Sequence, residues 1–181
     1  MKSFKSLYLI IIFLFSSASA EVVDAGPGGF TVQHRVAVPV SRLDAWDVFT
    51  DEVGQWWNSD HTVSADAANL YIEAKPLGCF CERLGDDAGL VHLQVTFANP
   101  GVMLRMTGGL GPLGLMGVAG NMTVEFEDHP ENVANSFVTL RYAVGGYRDG
   151  GLEALAAPVD AVLGEQLAGF AAFVTAAFAS E

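Results

Sequence analysis

Two cysteines separated by a single residue are the most reactive pair in this sequence. Cys79 and Cys81 lie in a run that is typical of a β-strand, in which residues two apart share a face. In an extended strand their Cα atoms would stand about 6.6 Å apart, at the far limit for a disulfide, so an internal bridge would need a bulge. We therefore expect two buried thiols that behave as small apolar side chains. The alternatives are a disulfide, internal and strained or intermolecular, and a metal pair with His34 or His92.

A second candidate is the group of aromatic and polar side chains at residues 56–61. Trp56 and Trp57 are followed closely by Asp60 and His61. The indole rings would line the mouth of a ligand site, and His61, free or paired with Asp60, would donate to a ligand oxygen or move a proton. In the structural alternative, the tryptophans close the end of the sheet and His61 caps a turn.

Glu82 is the carboxylate that this pattern singles out, because it alternates with the two cysteines and so points to the opposite strand face. If that face lines a cavity, burial would raise the pKa of the Glu82 carboxyl and suit it to general acid or base chemistry. If the face is turned to solvent, Glu82 is an ordinary surface charge. Arg105 is a candidate partner for Glu82 or for a ligand carboxylate.

Four further residues have polar groups that a site would use. His34 shares the apolar face of its strand and is expected to be a hydrogen-bonded core residue, whereas His92 is assigned to the polar face of its strand. Tyr142 and Tyr147 would each present a hydroxyl to a cavity, or pack with hydrogen-bonded tips. The sequence has no Ser-His-Asp order, no HExxH and no GxSxG pattern, and we expect neither a metal nor another cofactor.

The first twenty residues predict where these groups work. Lys2 and Lys5 precede an apolar run at 7–15 and the small residues at 18–20, which is the pattern of a secretory signal peptide. We therefore expect a signal peptide at 1–20, a single exported domain at 21–181 that is periplasmic or secreted, and no stable membrane span after cleavage. The net charge of -12 disfavours nucleic acid as a partner.

The elements that must position these residues follow from periodicity. Strand 30–38 is followed by Pro39 and by a helix with Ser41 as its N-cap. A second short helix is expected over 51–57 and a polar loop over 58–68. The remaining expected elements are strands at 69–75, 79–84, 90–98, 102–107, 121–127 and 136–144, and a long amphipathic helix at 158–178. This order predicts an α+β fold in which a curved antiparallel sheet of about six or seven strands grips the C-terminal helix, with two short helices after strand 1.

Several short motifs in this order resemble a known superfamily. They are Trp46 with Phe49, WWNSDHT at 56–62, GCFCER at 78–83, NPG at 99–101, GGLGPLG at 108–114, GGY at 145–147 and PVD at 158–160. The set resembles the SRPBCC superfamily of START-like helix-grip proteins, and especially the polyketide cyclase-like branch similar to the heat-shock-chaperone ATPase activator domain. The resemblance implies a deep cavity between sheet and helix. Members bind lipids, hormones or polyketides, a few catalyse cyclisation or dehydration, and others act on protein partners.

The expected function is therefore the binding of a small hydrophobic or amphipathic molecule by an exported protein, and a binding protein is favoured over an enzyme. The residues expected to contact the ligand are Trp56, Trp57, His61, Glu82, Arg105, Tyr142 and Tyr147. One alternative is a cofactor-free cyclase or dehydratase that uses Glu82 or a histidine. Another is a protein-interaction module with a filled interior. The ligand and the oligomeric state stay open.

Overall fold

A single antiparallel sheet wrapped around a long helix forms the body of the molecule. The structure is a computed structural model that describes residues 19–178, with side chains described from residue 22. Within that range the strands are β1 (Ser19–Gly26), β2 (Gly29–Val38), β3 (Leu70–Ile72), β4 (Cys79–Arg83), β5 (Gly89–Asn99), β6 (Met103–Gly108), β7 (Val118–His129) and β8 (Asn132–Gly146). The sheet order is β1-β2-β8-β7-β6-β5-β4-β3, and every neighbouring pair is antiparallel.

The helices of the described range are α1 (Arg42–Asp51), α2 (Val53–Trp56) and α3 (Ala156–Phe178), with short 3-10 turns at Ser59–His61, Ala67–Asn69, Gly111–Leu115 and Glu153–Leu155. Ser41 is the N-cap of α1, as predicted, and its hydroxyl accepts a hydrogen bond from the Asp44 backbone N–H at 3.3 Å. That contact satisfies one of the backbone donors that every helix leaves free at its start.

The predicted α+β helix-grip architecture is confirmed, with eight strands in place of six or seven. The additional strand is β1, so the two short helices follow the second strand. β1 escaped prediction because Val22 and Val23 are both exposed, at 37% and 43%, and a bulge interrupts its register between Val22 and Asp24. An edge strand with a bulge lacks the two-residue alternation by which strands are recognised. The predicted signal peptide lies outside the described residues, apart from Ser19 and Ala20 at the start of β1.

The core lies between the concave face of the sheet and the inner face of α3. Leu163, Leu167, Phe170 and Val174 of α3 are all inaccessible to solvent, at 0–1%. Five aromatic rings meet beside them, with neighbouring centroids 5.0–5.8 Å apart. These rings, which we call the aromatic cluster, belong to Trp46, Phe49, Trp56, Phe126 and Phe170.

The outer face of α3 is unusually apolar for a solvent-exposed surface. By length and composition, the stretch Glu153–Phe178 would also suit a membrane span, with a mean hydropathy of 1.5. Its inner face, however, is buried against the sheet, so part of this hydropathy comes from core packing. The outer face adds alanines at positions 157, 161, 168 and 172, which are exposed.

Candidate functional site

Glu82 is the most completely buried carboxylate of the described residues, at 1% exposure, and it lies on the inner face of β4. Its side chain accepts hydrogen bonds from the backbone N–H groups of Val63 and Ser64. The Nε2 atom of His92 lies 2.9 Å from the same carboxylate. Glu82 therefore ties strand β4 both to β5 and to the segment between α2 and β3.

The pKa of Glu82 lies below its ordinary value, which is the reverse of the expectation for a buried acid. Burial alone raises this pKa, but hydrogen bonds from Ser64, the Val63 N–H and His92 together lower it by more. The prediction of a raised pKa is thus wrong. Glu82 is an ionised acceptor at neutral pH, and a group in that state is a poor general acid.

His92 reaches Glu82 because of a β-bulge that the sequence pattern did not reveal. In the β4–β5 ladder Phe80 pairs with Leu93, while the next residue, Cys81, pairs with Val91. His92 is the extra residue on β5, and both His92 and Leu93 are buried while Val91 is 60% exposed. The assignment of His92 to the polar strand face is therefore wrong.

The predicted ion pair between Glu82 and Arg105 is also wrong. Arg105 lies on β6 and is exposed, where its Nε donates to the Thr96 hydroxyl at 3.3 Å. Its guanidinium lies 5.7 Å from the centre of the Phe97 ring. Glu82 faces the core, so the sheet separates the two charges and His92 is the partner instead.

Cys79 and Cys81 form a disulfide, with Cα atoms 5.4 Å apart. The expectation of two free thiols is therefore wrong, and within the described residues no cysteine is free. The expected bulge within the cysteine run is absent, because the extra residue of the β4–β5 ladder is His92 on β5. The bridge closes a loop of only three residues, so its entropic effect is smaller than the about 3 kcal/mol of a 15-residue loop.

A second group of contacts ties the same segment to α3. We call residues 57–64 the covering segment, because it runs from the end of α2 across Glu82 of β4 and the middle of α3. The Asn58 backbone N–H donates to Gln166 Oε1 at 2.8 Å, and the Asn58 side-chain amide donates to Glu165. His61 Nε2 lies 3.2 Å from Glu165 Oε2, so its partner is Glu165 and not Asp60.

Trp57 closes the covering segment over the sheet. Its indole N–H donates to the His61 carbonyl at 3.1 Å, and its ring lies 5.1 Å from that of Phe80. The Phe80 ring lies 5.1 Å from the His92 ring in turn.

Trp56 belongs to the aromatic cluster, with its N–H donating to the Val48 carbonyl at 3.3 Å. The two neighbouring tryptophans therefore belong to different regions. Trp56 packs in the core, whereas Trp57 is part of the covering segment.

Gln166 is the site residue that sequence reasoning missed. It is 1% exposed on the inner face of α3, among leucines and phenylalanine. Its Nε2 has no hydrogen-bond partner within the described residues, and neither has Nδ1 of the buried His92. A single amide on an otherwise apolar helix face was the available signal, because an unpaired buried donor is costly and rare.

The two tyrosines have very different surroundings. Tyr142 on β8 is fully buried, and its hydroxyl donates to the Gly108 carbonyl at 2.8 Å while accepting from the Leu110 N–H at 3.0 Å. Burial raises the pKa of this hydroxyl, although the Leu110 bond opposes the effect. Tyr142 thus fixes the turn after β6, whereas Tyr147 is 85% exposed and lies outside the site.

His34 is buried and faces α3. Its Nε2 lies 2.9 Å from Asp160 Oδ1, which is ion-pair distance, although the two groups are not oriented as a hydrogen bond. A Cβ added at Gly164 would approach the His34 ring to 2.7 Å, so the glycine allows the imidazole to sit against the helix. His34 is therefore a core residue, as predicted, but its Nε2 forms no hydrogen bond within the described residues, contrary to the prediction.

The cavity implied by the resemblance is closed in this structure. The side chains that would line it are 0–2% exposed. If the interior held a void large enough for a ligand, part of their surface would be accessible, so the interior is filled. These side chains include Val32, Leu93, Leu104, Leu140, Tyr142, Leu167 and Phe170. A shallow hollow of about 520 Å³ lies elsewhere, between Asp24, Gly28, Thr31 and Gly145 at the β1–β2–β8 edge. Among the described residues, no group of three His, Cys, Asp or Glu side chains could hold a metal.

Comparisons with known proteins support the fold. No protein-family model and no curated protein matches the chain. Among solved structures, Ms6760 from Mycobacterium smegmatis is similar at a TM-score of 0.56 and 9% identity, covering 89% of this chain and 97% of its own. CalU16 from Micromonospora echinospora is similar at a TM-score of 0.55 and 11% identity, and the match covers 81% of this chain and 74% of CalU16.

A third similar structure is DynU16, described as a putative protein in the dynemicin biosynthetic locus. Its TM-score is 0.54 at 16% identity, and the match covers 80% of this chain but 46% of DynU16. Identities this low establish a shared fold and leave the chemistry to the individual site. The chain therefore has the helix-grip fold of these proteins.

Proposed function

We propose that this chain is an exported protein that binds a small amphipathic molecule beneath the covering segment. The observation that carries the proposal is the pair of buried, unpartnered polar atoms, Gln166 Nε2 and His92 Nδ1. Gln166 binds the Asn58 N–H, and His92 binds the carboxylate that holds Val63 and Ser64. Each orphan atom therefore belongs to a residue that helps to hold the covering segment in place.

The covering segment is suited to opening. It is attached mainly by hydrogen bonds, and of its side chains only Trp57 is buried, while Val63 is 61% exposed. A segment with few buried apolar contacts opens at a lower free-energy cost than the packed core. We infer that the closed interior is the unliganded state and that a ligand enters when this segment lifts.

The residues beneath the segment define the chemistry of the ligand. Gln166 Nε2 would donate to a carbonyl, hydroxyl or carboxylate oxygen, and Trp57 and Phe80 would contact an apolar portion. The site therefore favours a molecule with one polar end and an apolar body. Export rests on residues 1–20, and it disfavours a cytosolic chaperone ATPase as partner, so membership of the activator-like branch also stays a prediction.

An enzymatic role has less support. The predicted acid-base group, Glu82, is ionised and fully engaged by its partners. His61 is partly exposed and binds Glu165 at the surface. Neither group combines a free hydrogen-bonding position with access to an enclosed reaction site, which general acid-base catalysis needs.

The proposal is tested with the exported chain and a defined probe, dansyl undecanoic acid, together with native mass spectrometry of protein taken from an exporting host. We expect a retained lipid-like mass and saturable probe binding. Gln166→Met should weaken probe binding about tenfold, the equivalent of about 1.4 kcal/mol for one hydrogen bond. Gln55→Met, at an exposed position, is the matched control and should bind normally.

Two outcomes would refute the proposal. One is the absence of both a retained mass and probe binding in a protein shown to be folded by circular dichroism. The other is equal probe affinity of the Gln166→Met variant and wild type, which would locate binding on another surface, such as the outer face of α3. The free energy of unfolding of each variant, measured in urea, shows whether a lost affinity reflects a lost fold.

A further inference from the structure

We propose that the Cys79–Cys81 disulfide is a redox site that a dithiol reductant opens in the folded protein, and that its reduction releases the covering segment. The inference rests on the bridge and the β4–β5 register, and it does not depend on a ligand. It assigns a chemical role to the one cysteine pair of the sequence.

The bridge contributes little to holding the fold together. It joins two residues of the same strand, so it links no separate elements and closes a loop of three residues. Stabilisation by a disulfide grows with the length of the closed loop, and here that length is close to its minimum. A bridge of this kind is better explained by an effect on local geometry or by reactivity.

One sulfur of the bridge is accessible to a reductant. β4 lies next to β3, a three-residue edge strand, so the bridge is near the end of the sheet. Cys79 is half-buried, whereas Cys81 is 4% exposed. An incoming thiolate would therefore attack Sγ of Cys79, and Sγ of Cys81 would be the leaving group.

A positive charge lies on the same strand face as the bridge. Arg83 follows Cys81 by two residues, so the two share a face of β4. Its guanidinium lies 4.3 Å from the centre of the Tyr71 ring, and Tyr71 is the cross-strand partner of Cys81. A cation at this position stabilises a departing thiolate, and Arg83 is thus a positioning charge for the exchange.

The reaction balances with a dithiol as the second reactant. One thiolate of the reductant bonds to Cys79 Sγ, the Sγ–Sγ bond breaks, and Cys81 leaves as a thiolate that takes up a proton. The second thiol of the reductant then attacks its own sulfur in the mixed disulfide and releases Cys79 as a thiol. The protein gains two electrons and two protons, and the reductant becomes a disulfide.

The consequence of reduction follows from the register. The bridge holds the two Cα atoms 5.4 Å apart, shorter than the about 6.6 Å of an extended strand. The bridged residues lie directly opposite the β5 bulge, whose extra residue, His92, turns inward to Glu82. Once the bridge opens, β4 can extend and His92 can withdraw. Glu82 then loses one of the contacts that keep it positioned for the Val63 and Ser64 N–H groups.

The test uses the wild-type chain in dithiothreitol, with thiols counted by alkylation and mass spectrometry and amide exchange followed by NMR. We expect two thiols to appear while circular dichroism stays native, and the Val63 and Ser64 amides to exchange about tenfold faster. The double variant Cys79→Ser with Cys81→Ser should exchange equally fast without reductant. Thiols that appear only in urea, or amide exchange unchanged by reduction, would overturn the proposal.

Arg83→Gln tests the leaving-group argument. Reduction by dithiothreitol should slow several-fold in this variant, measured as the rate of thiol appearance. Arg105→Gln is the matched control, because Arg105 is also exposed on the sheet beside an aromatic ring but is remote from the bridge. Equal rates in both variants would remove Arg83 from the proposed reaction. Thiol exchange without any probe binding would refute the proposed function alone, so the two proposals fail separately.

Discussion

The aromatic cluster and the covering segment are neighbours, but they are held in place by different interactions: apolar packing in the first and hydrogen bonds in the second. In the aromatic cluster, Trp46 packs edge to face against Phe126, and Phe49 packs edge to face against Phe170, with all four side chains buried. At the covering segment, a buried carboxylate and a buried amide hold backbone N–H groups. The first region stabilises the fold, and the second combines lower local stability with unpaired polar atoms, so a ligand site belongs there.

The largest effect should come from breaking the aromatic cluster. Phe170→Ala removes a fully buried ring that contacts both Phe49 and Trp56, and we expect a loss of about 3–5 kcal/mol in the free energy of unfolding. Phe173→Ala, at a half-buried position of the same helix, is the matched control and should cost much less. Urea denaturation measures both. Similar losses in the two variants would mean that the core is not concentrated on the inner face of α3.

The next effect should come from the charge that holds the covering segment. Glu82→Gln keeps one acceptor oxygen but removes the ionised carboxylate that Val63, Ser64 and His92 share, at an expected cost of about 1–3 kcal/mol. The Val63 and Ser64 amides should exchange faster by hydrogen exchange NMR. Glu73→Gln, an exposed glutamate near Lys75, is the control and should change neither quantity. Unchanged amide exchange in Glu82→Gln would show that the segment is held by other contacts.

The two regions also differ in how well the sequence predicts them. The periodicity of α3 and of most strands follows from burial along one face, so the helix-grip fold could be predicted. The Glu82–His92 contact could not, because it depends on a bulge that arises only when β4 and β5 pair. Two-residue alternation along β4 correctly placed Glu82 on the face opposite the cysteines. The same rule placed His92 on the wrong face, because the bulge interrupts the alternation along β5.

The remaining site predictions show the same limit. Trp57 and His61 were identified correctly as neighbours, but the partners of their segment, Glu165 and Gln166, lie more than a hundred residues further along the chain. Residue types on one strand do not specify long-range partners. Tyr142 and Tyr147 looked equivalent as hydroxyl donors, and only packing distinguishes the buried one from the exposed one.

A smaller effect should distinguish those tyrosines. Tyr142→Phe removes the hydroxyl that joins the Gly108 carbonyl and the Leu110 N–H, and we expect a loss of about 1 kcal/mol in unfolding free energy. Tyr147→Phe should have no measurable effect, because Tyr147 is 85% exposed. Urea denaturation at neutral pH measures both. A loss in Tyr147→Phe equal to that in Tyr142→Phe would contradict the assignment of the 108–110 turn to the Tyr142 hydroxyl.

The smallest effect is the part of the Glu82 contribution that depends on pH. The pKa of Glu82 is lower in the folded chain than its ordinary value of 4.5, because its hydrogen bonds outweigh burial. The folded state therefore binds this proton less tightly than the unfolded state, so the stabilisation is present above the unfolded pKa and is lost as pH falls through the folded one. The urea-measured gap between wild type and Glu82→Gln should accordingly narrow as the pH falls from about 5 to about 3.

The paired variant isolates that one group. Glu165 also has a lowered pKa, because of its bonds from Asn58 and His61, but it is present in both proteins and cancels in the comparison. The aromatic cluster has no titrating group, so Phe170→Ala should keep the same gap to wild type over this range. If the difference in unfolding free energy between wild type and Glu82→Gln also stays constant, the effect of the substitution comes from packing and not from the carboxylate charge. Both regions would then be stabilised by packing.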